Sequence, residues 1–418
     1  MSRTAAARAP AVELDPARVH AWRIGRQLLA GTARSPEEVA RTLVGVQAQV
    51  TSSAALAIAL RSTPPRGKAP AVDATAKALL DRRLVRAWAM RGTLHLFAAD
   101  DVPTIAAALQ GKERWRRPAW LRYFGVTEPE MERLIDTIGE VLDDDRPRTR
   151  AELADEIGGR LGPRAGELLR GSWGSTLKVA SDRHYLVQSA EDEAGVRFIR
   201  ASRWIGSWRA EDSSAALAKL VERYLGAYGP ATMKELLRWW GVSEQTTMKP
   251  ILASLGDAVT EVDVDGVRAY VGSVDVDSIR STKPMRGAVH LVGGFDPLIV
   301  GAGLREQLIP AAHLKRVSRT AGWISPVVLV DGLAAGVWDS KVSRDGLAIT
   351  IGMFTPARSV EKPAIEMAAD RVGLAVGESR LSIRYGRVFG TAKPTGRALV
   401  TAARIPDAES AERSPKDR

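Results

Sequence analysis

Three segments of the chain join a helix-capping signal to an amphipathic helical pattern. In each, a Ser or Thr stands three residues before a Glu, and apolar residues with helical spacing follow at once: Ser35–Glu38, Thr149–Glu152 and Thr232–Glu235. In such a capping box, the hydroxyl accepts a hydrogen bond from the third helical amide and the Glu bonds back to the cap amide. Another amphipathic stretch precedes each box, over 17–30, 130–142 and 215–225. One helical arrangement therefore recurs three times.

The third copy of this arrangement is the clearest. Helical patterns over 215–227, 233–240 and 244–254 lead into 258–271, where apolar and polar residues alternate about an Asp265-Gly266 turn. That alternation predicts a β-hairpin, and three helices closed by a hairpin form a winged-helix unit, a relative of the helix-turn-helix.

The two earlier copies repeat the pattern less completely. Residues 126–200 contain predicted hairpin arms at 184–188 and 196–200, and residues 13–100 contain one predicted strand over 85–97. Capping boxes are common, so three at comparable places could arise by chance. The recurrence of the hairpin as well as the cap favours a true repeat.

From about residue 284 the pattern becomes rich in β-strand signals. Strands are predicted over 289–292, 327–330, 334–338 and 347–353, with Asp331-Gly332 and Asp345-Gly346 as hairpin turns and one helix over 363–374. We expect a mostly-β domain here, either a small barrel or a curved sheet.

The predicted fold class is therefore α+β, with tandem winged-helix units followed by a C-terminal, mostly-β, barrel-like domain. The expected divisions are a loose tail, three winged-helix units, the β-rich domain and a second loose tail, over 1–12, 13–125, 126–210, 211–283, 284–405 and 406–418. No apolar run approaches the roughly 18 residues that a membrane span needs, and the N-terminus lacks a signal-peptide pattern. We expect a cytoplasmic protein that does not bind membranes.

The charge of the chain adds the first indication of a partner. Lys plus Arg number 60 against 49 Asp plus Glu, which gives a net charge of +11, and 47 of the 60 cations are Arg. Arg pairs with phosphate in a bidentate manner, and an excess of cations favours polyanions through counterion release. A proteome biased toward Arg would explain the Arg content equally well. It would not explain the net charge, which an Arg-for-Lys exchange leaves unchanged.

Several classes of site are excluded by composition. The chain has no Cys, so it can form no disulfide, thiolate zinc site, iron–sulfur cluster or cysteine nucleophile. It has five His, none spaced i, i+4, so we expect no metal centre and no cofactor. The P-loop, G-x-S-x-G and H-E-x-x-H motifs are also absent.

The first candidate site is Gln47-Ala48-Gln49, at the end of the helix that Ser35 begins. On a continuous helix these two Gln would point about 200° apart and could not share a target. Thr51 to Ser53 can cap a following helix over 54–61, so we place the pair at a helix break where both amides face one cleft. The alternative is that both amides bond only to free backbone groups at a helix end.

Two further clusters contain cations and aromatic residues. The segment 85–97 includes Arg91 and His95 around Gly92, and a glycine inside a strand pattern is typical of a bulge or a close backbone approach. Alternatively, its apolar residues form core and His95 is a satisfied polar group.

The segment 293–323 contains Arg305, Lys315, Arg316 and Arg319 before Trp323. Cations beside an aromatic suit phosphate contact and stacking, although a solvated basic loop would have the same composition.

These three clusters, in this order, resemble the winged-helix DNA glycosylases of the AlkZ/YcaQ type. The matching stretches are VGVQAQ, VRAWAMRGTLHLF and GGFDP with the following KRV and GWISPVVLVDG. The resemblance implies tandem winged helices and a β-barrel around a DNA-binding concavity. It also implies a catalytic Gln–aliphatic–Gln signature, which Gln47 and Gln49 match in the form associated with unhooking interstrand crosslinks.

From this resemblance we expect a monofunctional glycosylase that is restricted to cationic, destabilised lesions. Its glutamines do not titrate and cannot act as general bases. N7-alkylation makes the purine a cationic leaving group, so placing a water and stabilising the sugar would suffice. The expected partner is alkylated or crosslinked double-stranded DNA, bound by a monomer through Arg91, His95, Arg305, Lys315, Arg316 and Arg319.

The alternatives are a transcription regulator built on winged helices, without catalytic activity, and a non-catalytic protein that sequesters damage or toxin. A regulator would protect one sequence, whereas a glycosylase would bind with little sequence preference and release modified base.

Overall fold

The computed structural model describes residues 12–63, 70–110, 112–171, 174–189, 195–206, 208–356 and 361–388. Nineteen α-helices lie in this part of the chain: α1 Pro16–Arg26, α2 Pro36–Thr42, α3 Thr51–Ala59, α4 Asp73–Leu80, α5 Val102–Leu109, α6 Pro118–Phe124, α7 Glu128–Val141, α8 Arg150–Leu161, α9 Pro163–Gly171, α10 Ser175–Asp182, α11 Ala201–Ile205, α12 Ser213–Tyr228, α13 Met233–Trp240, α14 Gln245–Leu255, α15 Val276–Ser281, α16 Pro297–Gly301, α17 Arg305–Leu308, α18 Leu314–Val317 and α19 Lys362–Val376. Among the described residues, no helix has the length and apolar composition needed to cross a bilayer.

The same ranges contain fourteen strands: β1 Val12–Glu13, β2 Val46–Gln47, β3 Leu84–Trp88, β4 Leu94–Ala98, β5 Arg148–Thr149, β6 Val187–Gln188, β7 Arg197–Ile199, β8 Val259–Val264, β9 Val267–Gly272, β10 Val289–Val292, β11 Val327–Val330, β12 Leu333–Ser343, β13 Gly346–Met353 and β14 Leu381–Tyr385. They form sheets of three, five and six strands, which confirms the α+β class. Val12, the last residue of the expected N-terminal tail, pairs with β8, while 1–11 and the expected tail over 406–418 lie outside the described residues.

The three capping signals all begin helices. Thr149 and Thr232 form complete capping boxes with Glu152 and Glu235 at the starts of α8 and α13. Ser35 caps α2 by accepting from the amide of Glu38, but the Glu38 carboxylate accepts from the amide of Arg34 rather than from its own cap residue. Because these bonds join residues at most four apart, the sequence alone could place them.

The third predicted unit has its expected elements. Helices α12, α13 and α14 are followed by the hairpin β8–β9, whose turn residues Asp265 and Gly266 have φ values of 52° and 77°. Positive φ at both central residues is the conformation that Asp-Gly favours in a two-residue hairpin.

The first and second predicted units contribute to one sheet. It has the strand order β2-β4-β3-β6-β7-β5, and β3 contacts β6 through Arg86 and Gln188. The single strand expected over 85–97 is wrong, because a turn at Met90–Gly92 divides this segment into the antiparallel pair β3 and β4. The second hairpin keeps β6 and β7 as its arms, and residues 190–194 of its loop lie outside the described residues.

The C-terminal sheet has the order β10-β11-β12-β13-β14. Closing it would require β14 to pair with β10, and in the described residues these strands form the two opposite edges. The chain reaches β14 through helix α19, so β14 joins β13 in parallel and extends the sheet. The expectation of a barrel is therefore wrong for the part of the chain that the structure describes, and an open sheet takes its place.

The buried core crosses the predicted unit boundaries. The largest cluster joins side chains of α2, α3 and α5 with those of α12, α13 and α14, including Val39, Ile105, Leu220 and Trp240. The tandem winged-helix description and the unit boundaries therefore stay predictions.

Candidate functional site

Gln47 and Gln49 lie on an extended segment between two helices. Helix α2 ends at Thr42, β2 contains Gln47, and α3 begins only at Thr51. The pair does lie in a break between two helices, as predicted, but α2 ends five residues before Gln47 and a short strand fills the break. Strand β2 ends at Gln47, and Gln49 follows two residues later in a bend before α3. Ala48, between them, is fully buried, and its amide donates to the Leu94 carbonyl at 2.7 Å.

A tight turn directs the chain from α2 into this strand. Val44 and Gly45 both have positive φ, of 53° and 94°. A Cβ on Gly45 would lie 2.3 Å from the ring of Phe97 on β4. Only glycine tolerates both the positive φ and the close approach of the Phe97 ring at this position. Gly45 therefore fixes how closely β2 approaches β4.

The two carboxamides differ in exposure but are held in similar ways. Gln47 is 9% exposed, and its Oε1 accepts from Nη2 of Arg91 at 2.8 Å. Gln49 is exposed, and its Oε1 accepts from the amide of Leu94 at 3.3 Å. A carbonyl oxygen has two lone pairs, so each Oε1 keeps one acceptor site. Among the described residues, neither Nε2 has a hydrogen-bond acceptor, so both amide groups can still donate.

Arg91 supports Gln47 from the turn between β3 and β4. Its φ of 58° lies in the left-handed region, and its Nη1 donates to the carbonyl of Trp239 at 3.1 Å. A Cβ on Gly241, just after α13, would lie 2.6 Å from the Cα of Arg91, so the end of α13 packs directly on this turn. Burial lowers the pKa of Arg91 to about 10, which leaves its guanidinium charged at neutral pH.

His95 lies behind Gln47, opposite it in the β2–β4 ladder. Its side chain is 2% exposed, and Nδ1 lies 2.9 Å from the carbonyl of Thr93. Because a carbonyl only accepts, Nδ1 carries the proton, and Nε2 is the acceptor that lies 3.4 Å from Nη2 of Arg91. Burial, and then the charge of Arg91, lowers the pKa of His95 to about 3, so the ring is neutral at pH 7.

The cations expected in the C-terminal cluster have different environments. Half-buried Arg305 donates to the Ser318 hydroxyl at 2.5 Å, and burial lowers its pKa to about 10. Arg316 donates to the Gly352 carbonyl at 3.1 Å and lies over the ring of Phe354. Lys315 is exposed on α18, and Arg319 is half-buried near Asp339. We call the segment Arg305–Arg319 the basic segment. Of its four cations, Lys315 is exposed and the three arginines are half-buried.

We call the stretch from Val46 to Val50, which contains β2 and both glutamines, the glutamine strand. Helix α3 connects it to the loop before the basic segment. A Cβ on Gly294 would lie 3.7 Å from Oγ of Ser53, in the first turn of α3. At the other end of α3, Arg61 makes a bidentate ion pair with Asp296, with bonds of 2.8 Å and 2.7 Å. Both side chains are fully buried. The first and third sequence clusters are therefore joined through one helix.

Sequence reasoning missed the support that surrounds Gln47. The carbonyl of Trp239 and the close approach of Gly241 come from α13, about 150 residues away, and no local signal marks them. The strand itself did have a signal, because Val46-Gln-Ala-Gln-Val50 alternates apolar and polar residues with the period of a strand.

Comparisons with known proteins agree with the predicted resemblance. The profile of the family described as DNA glycosylase AlkZ-like matches residues 40–374. An interstrand DNA cross-link repair glycosylase of Streptomyces sahachiroi is 35% identical over 375 residues, 88% of this chain and 98% of the relative. The solved structure of Streptomyces sahachiroi DNA glycosylase AlkZ has a TM-score of 0.81 at 32% identity, covering 90% of this chain and all of the other.

Proposed function

The chain belongs to the AlkZ-like DNA glycosylase family, and on that premise we propose that it hydrolyses the N-glycosidic bond of N7-alkylated purines with Gln47 and Gln49 as its catalytic residues. The observation that carries this proposal is that both carboxamides bond through Oε1 to the β3–β4 hairpin, Gln47 to Arg91 and Gln49 to the amide of Leu94. Family membership makes the protein an enzyme, a DNA glycosylase, rather than a winged-helix regulator.

The proposed chemistry needs no titrating group. An N7-alkylated purine already carries positive charge, so its bond to C1′ breaks without prior protonation of the base. As that bond breaks, positive charge develops on the sugar. The free lone pair on each Oε1 would face that charge or hold the attacking water, and the Nε2 groups would donate to sugar or phosphate oxygens. Water is then the nucleophile, so the product is an abasic site in an intact strand.

The contact from Arg91 gives the two glutamines different roles. Because Arg91 donates to Oε1 of Gln47, it sets which end of that amide faces outward and draws electron density from the carbonyl. Oε1 of Gln49 bonds to a neutral backbone amide and is more exposed. We therefore assign Gln49 to the water and Gln47 chiefly to orientation of the sugar–phosphate. His95, neutral and buried, acts as a positioning residue for Arg91.

The name of the Streptomyces sahachiroi relative supports a further part of the proposal, that crosslinked DNA is also a substrate. Unhooking a crosslink is the same bond cleavage when the alkyl group on N7 is tethered to the opposite strand. Exposed Lys315 and half-buried Arg319 are proposed phosphate contacts, and tandem winged-helix units are the proposed DNA-binding framework. We also propose that the protein is a monomer and that it acts in the cytoplasm.

The proposal is tested by release of N7-methylguanine from duplex DNA. We expect Gln49→Ala to lower the single-turnover rate about 100-fold or more, Gln47→Ala somewhat less, and DNA affinity to change little. A matched control is Gln110→Ala, since Gln110 is exposed at the end of α5 and, among the described residues, its side chain makes one hydrogen bond, to His184. Wild-type rates in the Gln47/Gln49 double variant would remove both residues from the mechanism.

A further inference from the structure

A second recess lies on the opposite face of the six-stranded sheet. In the β3–β4 pair, Ala87 opposes His95 while Trp88 opposes Leu94, so Trp88 and Leu94 face away from Gln47. On that face is a cleft of about 460 Å³, within the size range of small-molecule sites. Its lining residues lie on or next to strands β3 to β7, the first turn of α8 and helix α10: Arg86, Trp88, Leu94, Thr149, Arg150, Ala151, Gly174, Leu177, Gln188, Val196 and Phe198.

One wall of the cleft holds a buried acceptor without a donor. Gln188 on β6 is 4% exposed, and its Oε1 has no hydrogen-bond partner among the described residues. Nearly all buried polar atoms in folded proteins are hydrogen-bonded, so an exception that lines a cleft points to a ligand that donates there. The glycosylase mechanism does not use this side chain.

The lining also supplies a donor and positive charge. Arg150 donates through Nε to the carbonyl of Leu169 at 2.6 Å, while its Nη2 is buried without a partner. Burial lowers the pKa of Arg150, because desolvation disfavours the charged guanidinium. Arg86 adds a second cation to the lining. Glu152, two residues after Arg150 in α8, forms the capping box with Thr149 and ion pairs with Arg146 and Arg197.

Part of the lining is flat and aromatic. Trp88 and Phe198 lie with ring centroids 6.1 Å apart and an interplanar angle of 15°, and Leu94, Leu177 and Val196 complete an apolar lining. Nearly parallel rings offer a surface for a planar ring system, since stacking on aromatic side chains accommodates any base.

We propose that this cleft binds a guanine base, either in a free nucleotide or in a single strand, separately from the glutamine strand. Guanine is planar, its N1–H and N2–H₂ edge can donate to Oε1 of Gln188, and its O6 and N7 are the acceptors that a guanidinium such as that of Arg150 contacts. Adenine has no O6 acceptor beside N7, so it matches the cleft less well. The inference does not depend on the proposed glycosylase chemistry.

Calorimetric titration of the full-length protein, in the absence of DNA, tests the proposal with 5′-GMP and 5′-AMP as probes. We expect saturable binding of GMP, at least tenfold weaker binding of AMP, and at least a tenfold loss of GMP affinity in Gln188→Leu and in Arg150→Met. A second arm compares a short oligo-dT with the same strand carrying one central dG, which distinguishes a base in a strand from a free nucleotide. Gln47→Ala should bind GMP as the wild type does.

Thermal melting of each variant separates loss of the cleft from loss of the fold, and Arg150→Met serves if Gln188→Leu does not fold. The proposal is overturned if GMP shows no saturable binding at millimolar concentration, if AMP binds equally well, or if both cleft variants bind as the wild type does. Loss of GMP binding in Gln47→Ala would place the base at the glutamine strand instead. None of these outcomes depends on whether the protein releases N7-methylguanine.

Discussion

The glutamine strand and the basic segment are both polar, but they are built differently. Around Gln47, every support is fixed: Arg91 donates to its Oε1, the carbonyl of Trp239 anchors Arg91, and neutral His95 lies behind them. In the basic segment, Arg305 and Arg316 contact their own protein while Lys315 extends into solvent. The difference is between preorganised dipoles, which suit chemistry, and accessible charge, which suits affinity for a polyanion.

The largest expected effect comes from breaking the connection between these two regions. Asp296→Ala leaves Arg61 fully buried without its counter-ion, and losing one partner of a buried ion pair costs about 3–5 kcal/mol. Urea unfolding should show this loss. Glu306→Ala breaks the ion pair of Glu306 with Lys234, whose side chains are 89% and 80% exposed, and should leave the midpoint unchanged. Equal effects of the two substitutions would show that the buried pair does not hold the regions together.

The next effect separates positioning from DNA contact within the glutamine strand. Arg91→Met removes the donor to Gln47 and the partner of His95, so the amide of Gln47 can rotate. We expect the single-turnover rate to fall about tenfold, less than in Gln47→Ala, with nearly unchanged DNA affinity, and Arg91→Lys to recover part of it. If Arg91→Met instead weakens DNA binding and leaves the rate intact, Arg91 is the phosphate contact that the sequence suggested.

What the sequence predicted well is what short-range interactions decide. Capping at Thr149 and Thr232 and the Asp265-Gly266 turn depend on neighbours at most four residues away, and all three are present in the structure. The residues between Val46 and Val50 show why the strand was missed. Their alternation covers only five residues, and the partner strand that stabilises it begins at Leu94.

The environment of the candidate residues could not be predicted for the same reason. Whether His95 is a surface cation or a neutral ring behind Gln47 depends on burial by elements distant in sequence, and that burial sets its pKa. The expectation of a C-terminal barrel was wrong because strand order also depends on contacts distant in sequence. The Asp331-Gly332 turn was local and correct, and the second turn lies one residue earlier than predicted, at Arg344-Asp345. The parallel addition of β14 depends instead on where α19 packs. Residue types and their order therefore identified the family, while the roles of Arg91 and Gln188 required the fold.

The smallest expected effect tests the basic segment. Lys315 is exposed and, among the described residues, makes no contact that would hold it against the protein, so Lys315→Gln should lower DNA affinity only modestly at physiological salt. If it neutralises one phosphate, the slope of log affinity against log salt should become shallower by about 0.9, uniformly across DNA sequences. Lys77→Gln removes the same charge from an exposed position paired with Asp81 and should leave the slope unchanged. Equal slopes for wild type and Lys315→Gln would mean that the DNA does not reach α18.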